Sequence, residues 1–135
     1  MKKFSFRLDP EGFARIPVIL RSGDTLIVLR GLIDTGADTI YLDRHISEFL
    51  KLQPLRVEEV GVAGGILNAS VIVIDSVAVA SQNFQKRLIM SAVNALAVDN
   101  LGEEIVIGIK FFEKCILSFN FVRKVLVIEG NWEKD

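Results

Sequence analysis

Asp34, Thr35, Gly36, Ala37, Asp38 and Thr39 are the densest run of groups in this chain that could do chemistry. The apolar run Leu32-Ile33 ends at the Asp34 carboxylate, a glycine follows two positions later, and apolar residues resume at Ile40. That order places Asp34 on a tight turn between two buried strands. A carboxylate brought there from water needs hydrogen-bond donors, or a partner with which to share a proton. The hydroxyl of Thr35 and the N–H groups of Gly36 and Ala37 are the local donors. Taken by itself, a buried strand ending in Asp-x-Gly is more often a plain turn than a catalytic site; the chemistry open to it is acid–base work by the carboxylate.

Other chemistries find too few parts. His45 is the only histidine, so a Ser-His or Cys-His arrangement has at most one base, and beside Arg44 on a helix it reads as solvated. Cys115 is the only cysteine, which excludes an internal disulfide, fits a reducing compartment, and reads as a core thiol. With no His or Cys cluster, no metal is expected, and no cofactor either. Lys and Arg number 16 against 17 for Asp and Glu, interspersed, so no basic stripe points to nucleic acid. Arg7 and Asp9 interrupt any leader-like apolar stretch, and runs such as Val71 to Ile74 fall far short of a bilayer span. The chain is therefore expected to be cytoplasmic, with no membrane partner.

The elements that must position Asp34 read as strands. At 135 residues the chain fits one domain and not two lobes. Half of the residues are apolar, more than a small domain can bury, which points to a subunit interface. A short strand over 4–8 is closed by Asp9-Pro10. Residues 13–20 and 24–33 form a hairpin around Ser22-Gly23, and its second strand delivers Asp34. Pro17 places the first of these at an edge or a bulge. After a strand at 40–42, Asp43 caps a helix whose Ile46, Phe49 and Leu50 share a face. Pro54 marks its end. Strands at 55–60 and 66–80 flank the glycine-rich tip Gly61-Val62-Ala63-Gly64-Gly65, and Val71 to Ile74 read as buried on both faces. Residues 84–93 pair back, 92–104 is a loop with one short strand at 95–98, and Ile105-Val106-Ile107-Gly108 is again an apolar strand ending at glycine. Two helical turns over 109–115, with Ile109 and Phe112 inward, precede strands at 116–120 and 124–128. Trp132 reads as an exposed aromatic in a polar tail, at a dimer interface or frayed.

The run Leu32-Ile33-Asp34-Thr35-Gly36-Ala37-Asp38-Thr39 resembles the active-site signature of the retropepsin-like (retroviral-type) aspartic proteases. The glycine-rich hairpin tip at 61–66 is similar to their flap, and Ile107-Gly108 to their second apolar-apolar-Gly segment. The resemblance implies a mostly β, closed barrel-like single lobe with two short helices, spanning 1–135 with a core of about 13–128, and terminal segments at a homodimer interface. It implies an aspartic endopeptidase whose dyad has one Asp34 from each subunit, since the chain carries a single Asp-Thr-Gly.

By the same resemblance, Asp34 is catalytic and Thr35, Gly36 and Ala37 support it, Thr35 by bonding across to the partner loop. Gly36, Asp38 and Gly61, Val62, Ala63, Gly64 and Gly65 meet the peptide, while Ile107 and Gly108 pack beside the Asp34 loop. Leu32, Ile40, Val62 and Ile66 are expected to line apolar pockets. Ala37 stands where a serine could lower the carboxylate pKa, which favours a working range less acid than that of pepsin. Lys110 departs from the family, which has Asn or Asp there to tie the helix to the active-site loop. A rival reading is a dimeric peptide-binding or assembly module that has kept the fold without catalysis.

Overall fold

Period-two alternation builds the first hairpin. In β2 (Arg15–Ser22) Ile16, Val18 and Leu20 point into the core, and β3 (Thr25–Ile33) returns alongside with Ser22 opposite Thr25. The turn is Gly23-Asp24, one residue later than expected, and Gly23 takes its positive φ of 57°. The computed structural model describes residues 1–134.

Besides these strands the chain forms β1 (Lys2–Arg7), β4 (Ile40–Asp43), α1 (Arg44–Phe49), β5 (Arg56–Val62), β6 (Gly65–Ala80), β7 (Lys86–Val98) and β8 (Ile105–Ile107). A 3-10 turn (Ile109–Phe112), β9 (Ile116–Asn120), β10 (Val125–Gly130) and β11 (Glu133–Lys134) follow. Six strands close into a barrel in the order β7-β4-β8-β3-β2-β6, with β6 pairing back onto β7. β5 extends β6 outward as a hairpin, and β1, β10 and β9 make a separate three-stranded antiparallel sheet. The core is aliphatic, with Val18, Leu20, Leu42, Ile72, Ile74, Ile105 and Ile107 essentially without exposure. The fold is thus mostly β and barrel-like, with one short α-helix and one 3-10 turn as its helices.

Several local expectations are corrected. Pro17 lies in a central strand, yet the β6 ladder begins only at Val18, opposite Val79, so the proline sits just outside it. Asp43 does cap α1, accepting the His45 N–H, but the helix buries Ser47 and leaves Phe49 68% exposed. Val73 is partly exposed while its neighbours Val71, Ile72 and Ile74 are buried, so this stretch is covered on one face and only in part on the other. β7 runs unbroken through 98 instead of ending in a loop, and Ala92, at φ 52°, kinks it where the β6 pairing lapses between Val93 and Ser91. Ile109 is half-exposed, and the inward residues of the 3-10 turn are Phe111 and Phe112. Trp132 is buried: its ring lies edge-on to Phe4 at 4.8 Å and its Nε1–H donates to the Ile128 carbonyl at 3.1 Å. A large aromatic with a satisfied N–H belongs inside, whatever the polarity of its neighbours in sequence.

Candidate active site

The loop from Asp34 to Thr39 exists because β3 and β4 are not neighbours in the barrel. β8 lies between them, parallel to β3 with Ile33 beside Ile107, and antiparallel to β4 with Ile40 beside Ile107. The chain must therefore arch over the end of β8 to pass from one to the other. Four backbone hydrogen bonds clasp the arch. The Asp34 N–H donates to the Ile107 carbonyl at 3.0 Å, and the Ala37 N–H to the Asp34 carbonyl at 3.2 Å. The N–H groups of Ile109 and Lys110 donate to the carbonyls of Ala37 and Asp38 at 2.9 and 3.1 Å.

Gly108 is where this crossing is tightest. A Cβ there would fall 2.3 Å from the Thr39 carbonyl oxygen and 2.7 Å from that of Ala37, against backbone that cannot swing aside. Its backbone is extended (φ −85°, ψ −179°), so it is close approach and not a special φ that requires glycine. Gly36 is similar. It has no positive φ, contrary to the tight-turn argument; its N–H donates to Asp34 Oδ1 at 2.8 Å, and a Cβ would lie 3.2 Å from that oxygen.

Of the donors expected for Asp34, Gly36 alone serves the carboxylate, while the Ala37 N–H is taken by the Asp34 main chain. In the isolated chain Asp34, Thr35, Gly36 and Asp38 are exposed and Ala37 is half-buried. The burial expected of Asp34 is thus not found in the single chain. Ile107 and Gly108 are buried beneath the loop.

The glycine-rich tip lies elsewhere in the fold, at the end of the β5–β6 hairpin. Val62 pairs with Gly65, leaving Ala63-Gly64 as a two-residue turn in which Gly64 has φ 95°. All five residues from Gly61 to Gly65 are exposed, as are Val62 and Ile66, whose apolar side chains face solvent. Of the expected pocket residues, Leu32 is half-buried, whereas Ile40 is buried in the barrel core and not at a pocket wall.

Tyr41 was not singled out by sequence. Ile40 and Leu42 turn inward, so Tyr41 turns to the other face of β4, where it helps line a cavity of about 330 Å³ with Asp38 and Lys110. Burial, and then the charges of Asp38 and Asp34, push its phenol pKa above the ordinary value. The signal available was a lone phenol at an alternate position in Ile40-Tyr41-Leu42, two residues past the loop. His45 is solvent-exposed at the start of α1, beside Asp43. Among the described residues no cluster of three or more His, Cys, Asp or Glu could hold a metal ion.

No family model and no curated protein matches the sequence. In structure, the chain is similar to a retropepsin-like aspartic protease from Rickettsia conorii, with a TM-score of 0.68 over 96% of this chain and 91% of that one, at 15% sequence identity. The chain has a retropepsin-like fold. Within that fold the Asp34 loop arches over the end of β8 and rests on Gly108.

Proposed function

We propose that the protein is an aspartic endopeptidase, active as a homodimer in which each subunit contributes one Asp34. The observation that carries this reading is the clasped loop: four main-chain hydrogen bonds and the Gly108 contact hold an exposed carboxylate on a rigid strand crossing. A carboxylate fixed that firmly yet left in water is half of a site. A two-fold axis beside it would bring a second Asp34 near, and exclude the water that now surrounds the first.

Two carboxylates at close range hold one proton between them, as in aspartic proteases generally. The ionised Asp34 would take a proton from a water as that water attacks the scissile carbonyl carbon. The protonated Asp34 would give its proton to the carbonyl oxygen, and the proton taken from water would then reach the leaving amine as the C–N bond breaks. The Gly36 N–H, donating to Oδ1, fixes the orientation of its own aspartate. An extended peptide would lie along the loop beneath the β5–β6 hairpin, with Val62 and Ile66 closing over it.

Lys110 does not count against this reading. The tie between the 3-10 turn and the loop is made by its backbone N–H to Asp38, which any residue except proline provides, while its side chain is exposed. No helix of the described residues is long and apolar enough to cross a membrane.

The test is cleavage of a diverse peptide mixture between about pH 4 and 7, a window set by the Asp and His reference values. Wild type is compared with Asp34→Asn and with wild type plus a statine-type transition-state analogue. Cleavage abolished by both controls supports the peptidase. An intact dimer that cleaves nothing leaves a peptide-binding module that has kept the fold.

A further inference from the structure

The cavity between β4, β5 and the 3-10 turn carries a charge pattern that the peptidase reading does not use. Four charged side chains line it: Asp38, Arg56, Glu58 and Lys110. Arg56 and Glu58 neutralise each other, with Nη2 and Nε both 2.9 Å from Oε1. Asp38 and Lys110 are in no ion pair among the described residues, with each other or with any third group. The cavity therefore holds one unmatched anion and one unmatched cation. Neutral polar groups, Tyr41 and Asn94, and apolar wall from Val71 and Leu96 complete it.

The two unmatched charges differ in reach. Asp38 is a short side chain rooted on the loop, at the edge where an extended peptide would bring its main-chain N–H donors past it. Lys110 carries its ammonium on a four-carbon stem rooted at the start of the 3-10 turn and exposed to solvent, so it can follow a side chain entering the cavity. A basic side chain would be brought up against Lys110, whereas an acidic one would give it the partner it lacks. The Tyr41 phenol, protonated at neutral pH as any tyrosine is, can donate to the same carboxylate.

We propose that this cavity is a subsite for an acidic side chain of the bound peptide, and that Lys110 is the residue that selects it. The inference rests on the peptide-binding part of the proposed function, though not on catalysis. It is tested on Asp34→Asn, so that no cleavage intervenes. Affinities are measured for extended peptides carrying Glu, Gln or Lys at one position at a time. The expected result is one position at which Glu binds about two- to fivefold tighter than Gln, and Lys weaker than either, the range of an exposed ion pair. Adding Lys110→Asn should erase the difference between Glu and Gln, and Lys110→Glu should make Lys the preferred residue. Raised salt should shrink the wild-type preference. A preference that survives Lys110→Asn, a preference for Lys in the unaltered cavity, or binding blind to charge at every position would each overturn the subsite alone. Failure of every peptide to bind would overturn the peptide reading and the subsite with it.

Discussion

The amide of Asp34 is bonded to the carbonyl of Ile107 at 3.0 Å, so the candidate catalytic residue hangs from a strand that belongs to the other half of the chain. Everything that fixes Asp34 from below is main chain. Side-chain substitutions around it should therefore disturb the site only where they add atoms to the crossing, or change the charges that face it.

Gly108→Ala adds such an atom. With backbone oxygen 2.3 Å from the new Cβ, the loop or β8 must move, and we expect a loss of about 1–3 kcal/mol in urea unfolding. Gly61→Ala, with nothing within 4 Å of its Cβ, is the matched control and should leave stability within about 0.5 kcal/mol. Equal losses in the two variants would mean that the crossing is not as tight as described.

Tyr41 is the only tyrosine, so its ionisation can be followed alone in the near ultraviolet. Its pKa should lie above the ordinary 10, because of burial first and then the Asp38 and Asp34 charges. The folded state thus holds the phenolic proton more tightly than the unfolded one. The resulting stability is present below the unfolded pKa and is lost as pH rises through the folded value. Asp38→Asn and Asp34→Asn should each move the titration back toward 10, Asp38→Asn by more; an unmoved midpoint in both would separate Tyr41 from the site electrostatically.

At the acid end the sensitive group is Asp9. Its carboxylate accepts the Phe13 and Glu11 N–H groups at 2.9 and 3.0 Å and pairs with Arg15, which also holds Glu103 through two bonds of 2.8 and 3.1 Å. The Phe13 bond, with the Arg15 hydrogen bond and charge, holds its pKa below the usual 3.8. Its contribution to stability is complete above that unfolded value and disappears as pH falls through the lowered one. Asp9→Asn should flatten the acid limb of the stability curve in that range and leave the neutral limb parallel to wild type, as read by denaturant midpoints.

Trp132 offers a spectroscopic check on the C-terminal stretch. It is the only tryptophan, and it is packed on Phe4 and Phe6. Native emission should be blue-shifted and should move red on unfolding in step with circular dichroism. Trp132→Ala should cost about 3–5 kcal/mol. Emission already at the solvent-exposed position in the native protein would contradict the packing.

The features of the site that could be read ahead of the structure are those encoded locally. The Asp34 loop, the hairpin ends near Gly23 (one residue off) and within Gly61 to Gly65, and the Asp43 cap each depend on residues within a few positions of one another. What was misread depends on partners far along the chain. Phe49 and Ile109 sit at positions where helical spacing is satisfied, yet the neighbouring elements cover Ser47 and Phe111 instead. The polar Asn94, with Asp99-Asn100 and Gly102 after it, imitates a loop in β7, while pairing with both β6 and β4 keeps the strand going. Nothing around Trp132 signals burial, since the rings that receive it belong to β1. Tyr41 became visible as part of the site only when β4 was seen to run beside the cavity next to Asp38.

The parallel pairing of β3 with β8 also sets an order of events. Gly31 meets Ile105 and Ile33 meets Ile107, contacts that require most of the chain to have been laid down and its ends of the loop to have found each other. Hairpins such as β2–β3 and β5–β6 close quickly and on their own, whereas a parallel contact of this separation carries a large entropy of closure and forms late. Until β8 slides between β3 and β4, the Asp34 loop has no floor. A growing polypeptide on the ribosome therefore carries an unsupported Asp34 loop until its synthesis has passed Gly108.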